Sequence, residues 1–183
     1  MGGIRQPVGG TGFEGAFLAL AEARLLDRDG QIAPLRGLQG HVGAEAQTLK
    51  TAADAWAASG AEADKDLVKV AWSDAMRAWQ QVEAMQVGPT GSSLTAVGGQ
   101  DFRDKIYSWP TSRPCGIDQN IVSEAYGEAG FVTGQLVNTL GLDALEYLLF
   151  HDGADNDCPA QVEINSSGAW RAIGADDLAG RRA

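Results

Sequence analysis

The stretch LRGLQGHVGAEAQTLKTAADAW, residues 35–56, decides the fold class. Its apolar residues recur at steps of three and four, the spacing of one face of an α-helix. The predicted seam of this bundle helix consists of Leu35, Leu38, Val42, Ala46, Leu49, Ala53 and Trp56. Three glycines, Gly37, Gly40 and Gly43, lie in the first part of the stretch. Each disfavours a helix interior by about 1 kcal/mol relative to alanine, so we expect the helix from about Ala44 onward.

Segments on both sides of this stretch have apolar residues at the same helical spacing. Residues 1–12 predict a flexible Gly-rich tail, and residues 13–30 predict a first helix that ends at Gly30. The stripe of that helix is Phe13, Phe17, Leu20 and Ala21. A third long helix is predicted from Asp64 to about Met85, with two adjacent apolar stripes that indicate packing against two neighbours. Those stripes are Leu67, Ala71, Ala78, Val82 and Met85, and beside them Val68, Trp72 and Trp79.

The second half of the chain predicts shorter helices separated by loops. A short helix in residues 101–120 is cut by Pro110, and Asp118 has the side chain of a helix N-cap. A helical pattern over 131–150 is broken near Gly141, and residues 174–182 predict a final helix. Alternation of period two does not extend beyond the four residues QVEI. We therefore predict an all-α fold, with an up-and-down helical bundle over residues 13–183.

The charge of the chain argues against a nucleic acid partner, and its hydropathy argues against a membrane-spanning helix. The chain has 24 acidic and 14 basic residues, a formal net charge of −10. A surface that binds nucleic acid needs clustered lysine and arginine, so we expect no nucleic acid partner. No apolar run reaches the roughly 18 to 20 residues that span a bilayer. The opening MGGIRQPVGGTG also contains no apolar signal region.

The two cysteines, Cys115 and Cys158, lie in the polar contexts SRPCGID and DNDCPAQ. A buried free cysteine usually has apolar neighbours. A disulfide between the two is therefore favoured over free thiols. Such a bond would point to an oxidising compartment.

The stretch GLDALEYLLF, residues 141–150, carries two carboxylates in an otherwise apolar helix. Asp143 and Glu146 are three residues apart, so they share one helix face. One interpretation is a ligand or cation site. The other is a structural network in which Arg103 or Lys105 neutralises the buried charge. In either case two like charges this close are expected to raise the pKa of one carboxyl group.

Four strings occur in an order and spacing that resemble the imelysin family, also called peptidase family M75. They are AWSDAMRAWQQVEAMQVGP at 71–89, KIYSWPT at 105–111, CGID at 115–118 and GLDALEYLLF at 141–150. The resemblance runs from about Leu49 to Arg182. It implies a bacterial periplasmic or outer-membrane-associated protein, of a family in which some members are connected with iron acquisition. It also implies a longer protein of two related helical bundles, of which this chain would be one half.

The family motif is G-x-H-x-x-E, and this chain departs from it. Gly141 and Glu146 match, but Asp143 occupies the histidine position. A histidine and a glutamate suit zinc and other transition metals, whereas two carboxylates favour hard cations such as Ca²⁺, Mg²⁺, Mn²⁺ or ferric iron. The sequence does not identify a cofactor; a divalent or ferric cation is the candidate, with His151 as a third candidate ligand. A zinc peptidase needs three protein ligands and a water, and H-E-x-x-H is absent from the sequence.

The functional prediction is a binding protein of the cell envelope that takes up a metal ion or another small ligand. The predicted ligand-binding residues are Asp143, Glu146, Arg103 and Trp109. Trp109, beside Pro110, either packs in the core or lines a pocket. The alternatives are an M75-type metallopeptidase and an interaction module whose site has decayed. Expected partners are membrane-associated uptake proteins and a companion chain carrying the second bundle, or a second copy of this chain, packed on the stripes around Trp72 and Trp79.

Overall fold

The computed structural model of the protein describes residues 33–86 and 88–183. The predicted tail and the predicted first helix, residues 1–12 and 13–30, lie outside the described residues. All regular structure in the described part is helical, which confirms the all-α prediction. The α-helices are α1 Ala33–Ser59, α2 Glu62–Glu83, α3 Phe102–Ile106, α4 Pro114–Ser123, α5 Phe131–Gly134, α6 Gly141–Phe150, α7 Glu163–Ser166 and α8 Ala175–Arg182. Short 3-10 helices occur at Gly88–Thr90, Ala125–Gly127 and Val137–Thr139.

Helices α1 and α2 form a long antiparallel hairpin. They are joined by Gly60 and Ala61, and Gly60 has a φ of 63°, which favours glycine. The seam of α1 is confirmed at Val42, Ala46, Leu49 and Trp56, which are buried, while Leu38 and Ala53 are partly buried. Helix α1 also begins at Ala33 and not near Ala44, so the expected start was wrong. Packing of Leu38 and Val42 against the core outweighs the poor helix propensity of the three glycines.

The inner face of α2 is confirmed in part. Trp79 is completely buried, and Val68, Ala71 and Val82 are buried with it. Leu67 is 61% exposed, and Met85 lies beyond the end of the helix, so these two were wrongly assigned to the buried stripe. Trp79 therefore offers no free surface to a companion chain. No described helix has both the length and the apolar character needed to cross a membrane.

A second apolar cluster lies beside the disulfide. Cys115 and Cys158 are bonded, with Cα atoms 4.5 Å apart, which confirms that prediction. The bond closes a segment of 43 residues, and the chain-entropy model assigns such a loop about 4 kcal/mol of stabilisation. It ties α4 to the loop that follows α6. The buried residues of this cluster are Ile117, Ile121, Ala144, Cys158, Ile164, Trp170 and Leu178.

Helix α6 lies between the two clusters and uses a different face for each. Leu142 and Leu149 pack with α1 and α2, whereas Ala144 packs with the disulfide cluster. The indole Nε1 of Trp72 donates to the carbonyl of Leu142 at 2.8 Å, which ties α2 to the first turn of α6. The face of α6 that remains carries Asp143, Glu146 and Phe150. Tyr147 lies at its border, packed against the disulfide cluster. The fold thus presents the carboxylate pair on the one face of α6 that neither cluster covers.

Candidate functional site

Gly141 allows the segment after α3 to approach the start of α6. Its φ is 81°, a conformation that glycine adopts without steric cost. A Cβ at this position would lie 2.6 Å from the carbonyl oxygen of Ile106 and 2.9 Å from that of Lys105. Only glycine fits so close to those carbonyls. The KIYSWPT segment is therefore held against the first turn of α6.

This close approach places Ser108 against Asp143. The Ser108 hydroxyl donates to Oδ2 of Asp143 at 2.6 Å, and the Ser108 backbone N–H lies 3.4 Å from Oδ1. Both residues are buried. A buried carboxylate needs hydrogen-bond donors, and Ser108 supplies them. Asp143 is thus anchored by the protein itself.

Glu146, one turn further along α6, is in a different situation. Among the described residues its carboxylate has no hydrogen-bond donor and no cationic partner. Burial raises the pKa of Glu146, and the negative charge of Asp143 raises it further. This confirms the expectation that one carboxyl group of the pair has a raised pKa. Burial also raises the pKa of Tyr107, and the charges of Glu146 and Asp143 add to that shift.

The uncovered face of α6 forms one wall of a pocket of about 420 Å³. Aromatic rings and carboxylates dominate its lining, and none of the described lining residues is a lysine or an arginine. Two of the rings are unusually open to solvent, since Trp109 is 58% exposed and Phe150 is 46% exposed. The lining residues are Trp109, Ser112, Pro114, Ile117, Asp143, Glu146, Tyr147, Phe150 and His151. The volume is in the range of small-molecule sites.

The structure brings together most of the predicted site residues but not all of them. Asp143, Glu146, His151 and Trp109 all line this pocket, and the interpretation of Trp109 as a core residue was wrong. Arg103 does not join them. Its Nε lies 2.9 Å from Glu83, its Nη1 lies 2.9 Å from Asp104, and its Nη2 donates to the carbonyl of Trp109 at 3.2 Å.

The predicted charge partners of the carboxylate pair are thus occupied elsewhere. Arg103 is held by Glu83 on α2 and by Asp104, and these contacts raise its pKa. Lys105 lies over the ring of Phe102, with Nζ 4.9 Å from the ring centroid. Neither cation neutralises Asp143 or Glu146. The structural network that would have explained the pair through Arg103 or Lys105 was therefore a wrong expectation.

The predicted metal set of Asp143, Glu146 and His151 is not arranged as a metal centre. In residues 33–86 and 88–183, no group of three or more His, Cys, Asp and Glu is close enough to hold a metal ion. Asp143 is bound by Ser108, and Nε2 of His151 lies 3.0 Å from the carbonyl of Asp155. Because a carbonyl oxygen only accepts, this nitrogen is the donor. Glu146 is the carboxylate of the set that no group in the described part of the chain holds. One such carboxylate is far from the six to eight oxygen ligands that calcium takes.

A third carboxylate close to the pocket, Asp118, was not identified as a site residue from the sequence. Asp118 was predicted to be a helix N-cap, but it lies inside α4 and is completely buried. Its oxygens lie 3.1 and 3.0 Å from the hydroxyl of Tyr147, and it accepts the backbone N–H of Asp157 at 2.8 Å. Burial raises the pKa of Asp118, and these hydrogen bonds lower it in part. The pKa of Tyr147 is also raised by burial and by Asp118.

This network fixes one wall of the pocket. Asp118 holds the Tyr147 hydroxyl, and the ring of His151 stacks on that of Tyr147 with centroids 4.8 Å apart. Tyr147 and Ser108 both belong to strings that carried the family resemblance, and that is the signal that could have identified them. Nothing in the local sequence shows that Asp118 meets Tyr147, which lies 29 residues further along the chain.

Comparison with known proteins assigns the family. The family model of imelysin, peptidase M75, matches residues 38–178. The chain belongs to the imelysin family. No curated protein and no solved structure matches it. Within this imelysin chain the three positions have separate physical roles. Gly141 permits the close approach, Asp143 is anchored by Ser108, and Glu146 lines the pocket without a hydrogen-bond or ionic partner among the described residues.

Proposed function

We propose that this imelysin-family chain is a non-enzymatic binding protein that holds a small ligand in the pocket beside α6. The observation that carries the proposal is the state of Glu146. Its carboxylate lies in the pocket lining, has a raised pKa, and has no hydrogen-bond or ionic partner among the described residues. A partly buried carboxylate without a partner is unfavourable in the free protein. Such a group is typical of a site whose partner comes from solution.

The rim of the pocket supports the same proposal. Trp109 and Phe150 are large apolar side chains that remain exposed on the same pocket. A contiguous exposed apolar surface of this kind commonly marks a binding site. Covering these rings would give a ligand favourable apolar contact in addition to the charge of Glu146.

The family resemblance also implies a role in iron or metal acquisition. The donor set does not favour a bound ion as the ligand itself, because Ser108 occupies Asp143 and His151 binds a carbonyl. A metallopeptidase needs three protein ligands for its metal ion and an activated water. Of the three predicted metal ligands in the pocket, only Glu146 makes no contact with another described protein group. A small organic ligand therefore fits the lining better than a metal ion does.

The proposed setting is the cell envelope. The Cys115–Cys158 bond supports it, since disulfides persist in oxidising compartments such as the periplasm. Membrane-associated uptake proteins and a companion chain with a second bundle remain the proposed partners. Helix α2 leaves Leu67 and Val70 about 60% exposed, which is a more suitable contact surface for a companion than the buried Trp79.

Thermal unfolding in the presence of candidate ligands tests the proposal. The panel covers amines, amino acids, sugars, carboxylic acids, Ca²⁺, Mn²⁺, Zn²⁺ and ferric citrate. A ligand at 100 times its Kd adds about 2.7 kcal/mol of stability, which raises the Tm of a chain of this size by about 5 °C or more. We expect at least one compound to do this for the wild type and not for Glu146→Gln.

Glu128→Gln is the matched control, because Glu128 is an exposed carboxylate outside the pocket lining. It removes the same charge and is expected to respond to the ligand as the wild type does. The proposal fails if no compound raises the Tm. It also fails if the compound that does so acts equally on Glu146→Gln.

A further inference from the structure

The pocket combines two features that select for one kind of ligand. Four of its lining residues carry aromatic or imidazole rings, and two carry carboxylates. No lysine or arginine is among the described lining residues. An anion would meet repulsion from Glu146 and Asp143, and no described lining residue is a lysine or arginine that could compensate for it. A neutral ligand would leave the negative charges of Glu146 and Asp143 without a counter-ion, so a cation is the complementary charge.

The rings distinguish between kinds of cation. A metal ion requires several oxygen, nitrogen or sulfur donors at short distance. The side chains of Trp109 and Phe150 supply none, and the hydroxyl of Tyr147 is bound to Asp118. Aromatic faces attract polyatomic cations instead, and quaternary ammonium groups are recognised in this way. A carboxylate beside such rings supplies the counter-charge. The lining therefore matches an organic cation better than it matches a metal ion.

Two of the rings are held in place before a ligand arrives. Tyr147 is fixed by its hydroxyl contact with Asp118, and Phe150 packs edge-on against Trp72 with centroids 5.4 Å apart. Fixed groups reduce the entropy lost on binding. Lys69 Nζ lies 6.0 Å from the Phe150 centroid, while Asp66 lies 3.6 Å from the same nitrogen. Because Phe150 already has a cationic neighbour, Trp109 is the ring with most to gain from a ligand.

We propose that the pocket binds a quaternary or alkylated ammonium group, with Glu146 as its counter-ion and Trp109 as the principal ring that covers it. This inference rests on the proposed function, which requires only that some small ligand depends on Glu146. It adds the chemical class of that ligand. The other two rings of the lining already have neighbours, since His151 stacks on Tyr147 and Lys69 lies over Phe150, whereas Trp109 is 58% exposed.

Isothermal titration with choline and its neutral isostere 3,3-dimethyl-1-butanol tests the ligand class. The two compounds have nearly the same shape and differ in charge. We expect saturable binding of choline to the wild type and at least about tenfold weaker binding of the isostere, since cation–π and ionic attraction are lost together. Glu146→Gln and Trp109→Leu should each weaken choline binding about tenfold.

The controls separate this inference from the proposed function. Glu128→Gln should bind choline as the wild type does, and circular dichroism should show that Trp109→Leu remains folded, because Trp109 is largely exposed. Equal binding of choline and the isostere would overturn the inference. The inference would also be overturned if choline and tetramethylammonium fail to bind while a metal ion or another compound binds in a Glu146-dependent manner. That result would leave the proposed function intact. If no compound binds in that manner, both proposals are overturned.

Discussion

Two carboxyl groups close to Tyr147 have the same chemistry and opposite surroundings. Asp118 is completely buried, contacts the Tyr147 hydroxyl with both oxygens and accepts the N–H of Asp157. Glu146 is the neighbour of Tyr147 on α6, is partly exposed, and has no donor among the described residues. Burial raises the pKa of both groups.

The difference separates a group that serves the fold from one that is available to a ligand. The region around Asp118 is closed, because its hydrogen bonds and the adjacent disulfide join α4, α6 and the loop at Asp157. The region around Glu146 is open, because the pocket lining leaves its carboxylate unpaired. Substitutions in the closed region are therefore expected to change stability, and substitutions in the open region to change binding.

The largest effect on stability is expected from removing the disulfide. Replacing both Cys115 and Cys158 with serine should lower the free energy of unfolding by about 4 kcal/mol, since the segment of 43 residues is no longer closed in the unfolded chain. Urea denaturation under non-reducing conditions measures the change. A loss below about 1 kcal/mol would show that the closed region does not depend on this crosslink.

Asp118→Ala should have the next largest effect. It leaves the Tyr147 hydroxyl and the Asp157 N–H without their acceptor, and each orphaned buried donor costs about 1–3 kcal/mol. Removal of a buried charge offsets part of that cost, so we expect a net loss of about 2–3 kcal/mol in urea denaturation. Asp118→Asn keeps one acceptor oxygen and should lose less. An alanine variant as stable as the wild type would remove the distinction between the two regions.

Asp143 has features of both regions, because Ser108 anchors it as in the closed region and it lines the pocket beside Glu146 as in the open region. Asp143→His introduces the histidine that the family resemblance implies at this position and loses the Ser108 contacts, for an expected cost of about 1–2 kcal/mol. It also places an imidazole three residues before Glu146, a pair that suits zinc. Titration with Zn²⁺ should show binding that the wild type lacks. Unchanged metal selectivity would contradict this account of the motif.

The features that sequence predicted correctly are those set by local or periodic patterns. The all-α fold, the buried seam of α1 and the break at Gly141 follow from apolar spacing and from glycine. The sharing of one helix face by Asp143 and Glu146 follows from the helical repeat. The cysteine pairing rested on the polar contexts of both residues. Each of these depends on residues that are near in sequence or few in number.

The errors concern contacts between distant segments. Asp118 has the side chain of an N-cap, but packing against Tyr147 outweighs that local preference. Arg103 was matched to the carboxylate pair, whereas Glu83, 20 residues earlier, holds it. Ser108 was not identified because serine has no distinctive pattern, and its role depends on the approach that Gly141 permits. Tertiary packing, which periodicity does not report, determined all three.

The smallest effect on stability is expected at Glu146, and it tests the central claim that this residue serves a ligand and not the fold. An acid whose pKa is raised in the folded state binds more protons when folded, so its contribution to stability falls as pH rises from its unfolded pKa of about 4 through the higher folded value. Glu146→Gln does not titrate, so it should match the wild type near pH 4 and become equal or slightly more stable toward pH 7. The gain should stay below about 1 kcal/mol, because solvent screens a partly exposed group.

The decisive measurement is the free energy of unfolding of Glu146→Gln relative to the wild type, from urea denaturation at pH 4 and pH 7. We predict a difference near zero at pH 4 and, at pH 7, a difference of at most about 1 kcal/mol in favour of the variant. A loss of about 2 kcal/mol or more at pH 7, of the size expected when a partner of a buried charged network is removed, would show that Glu146 holds the fold together and would contradict the account.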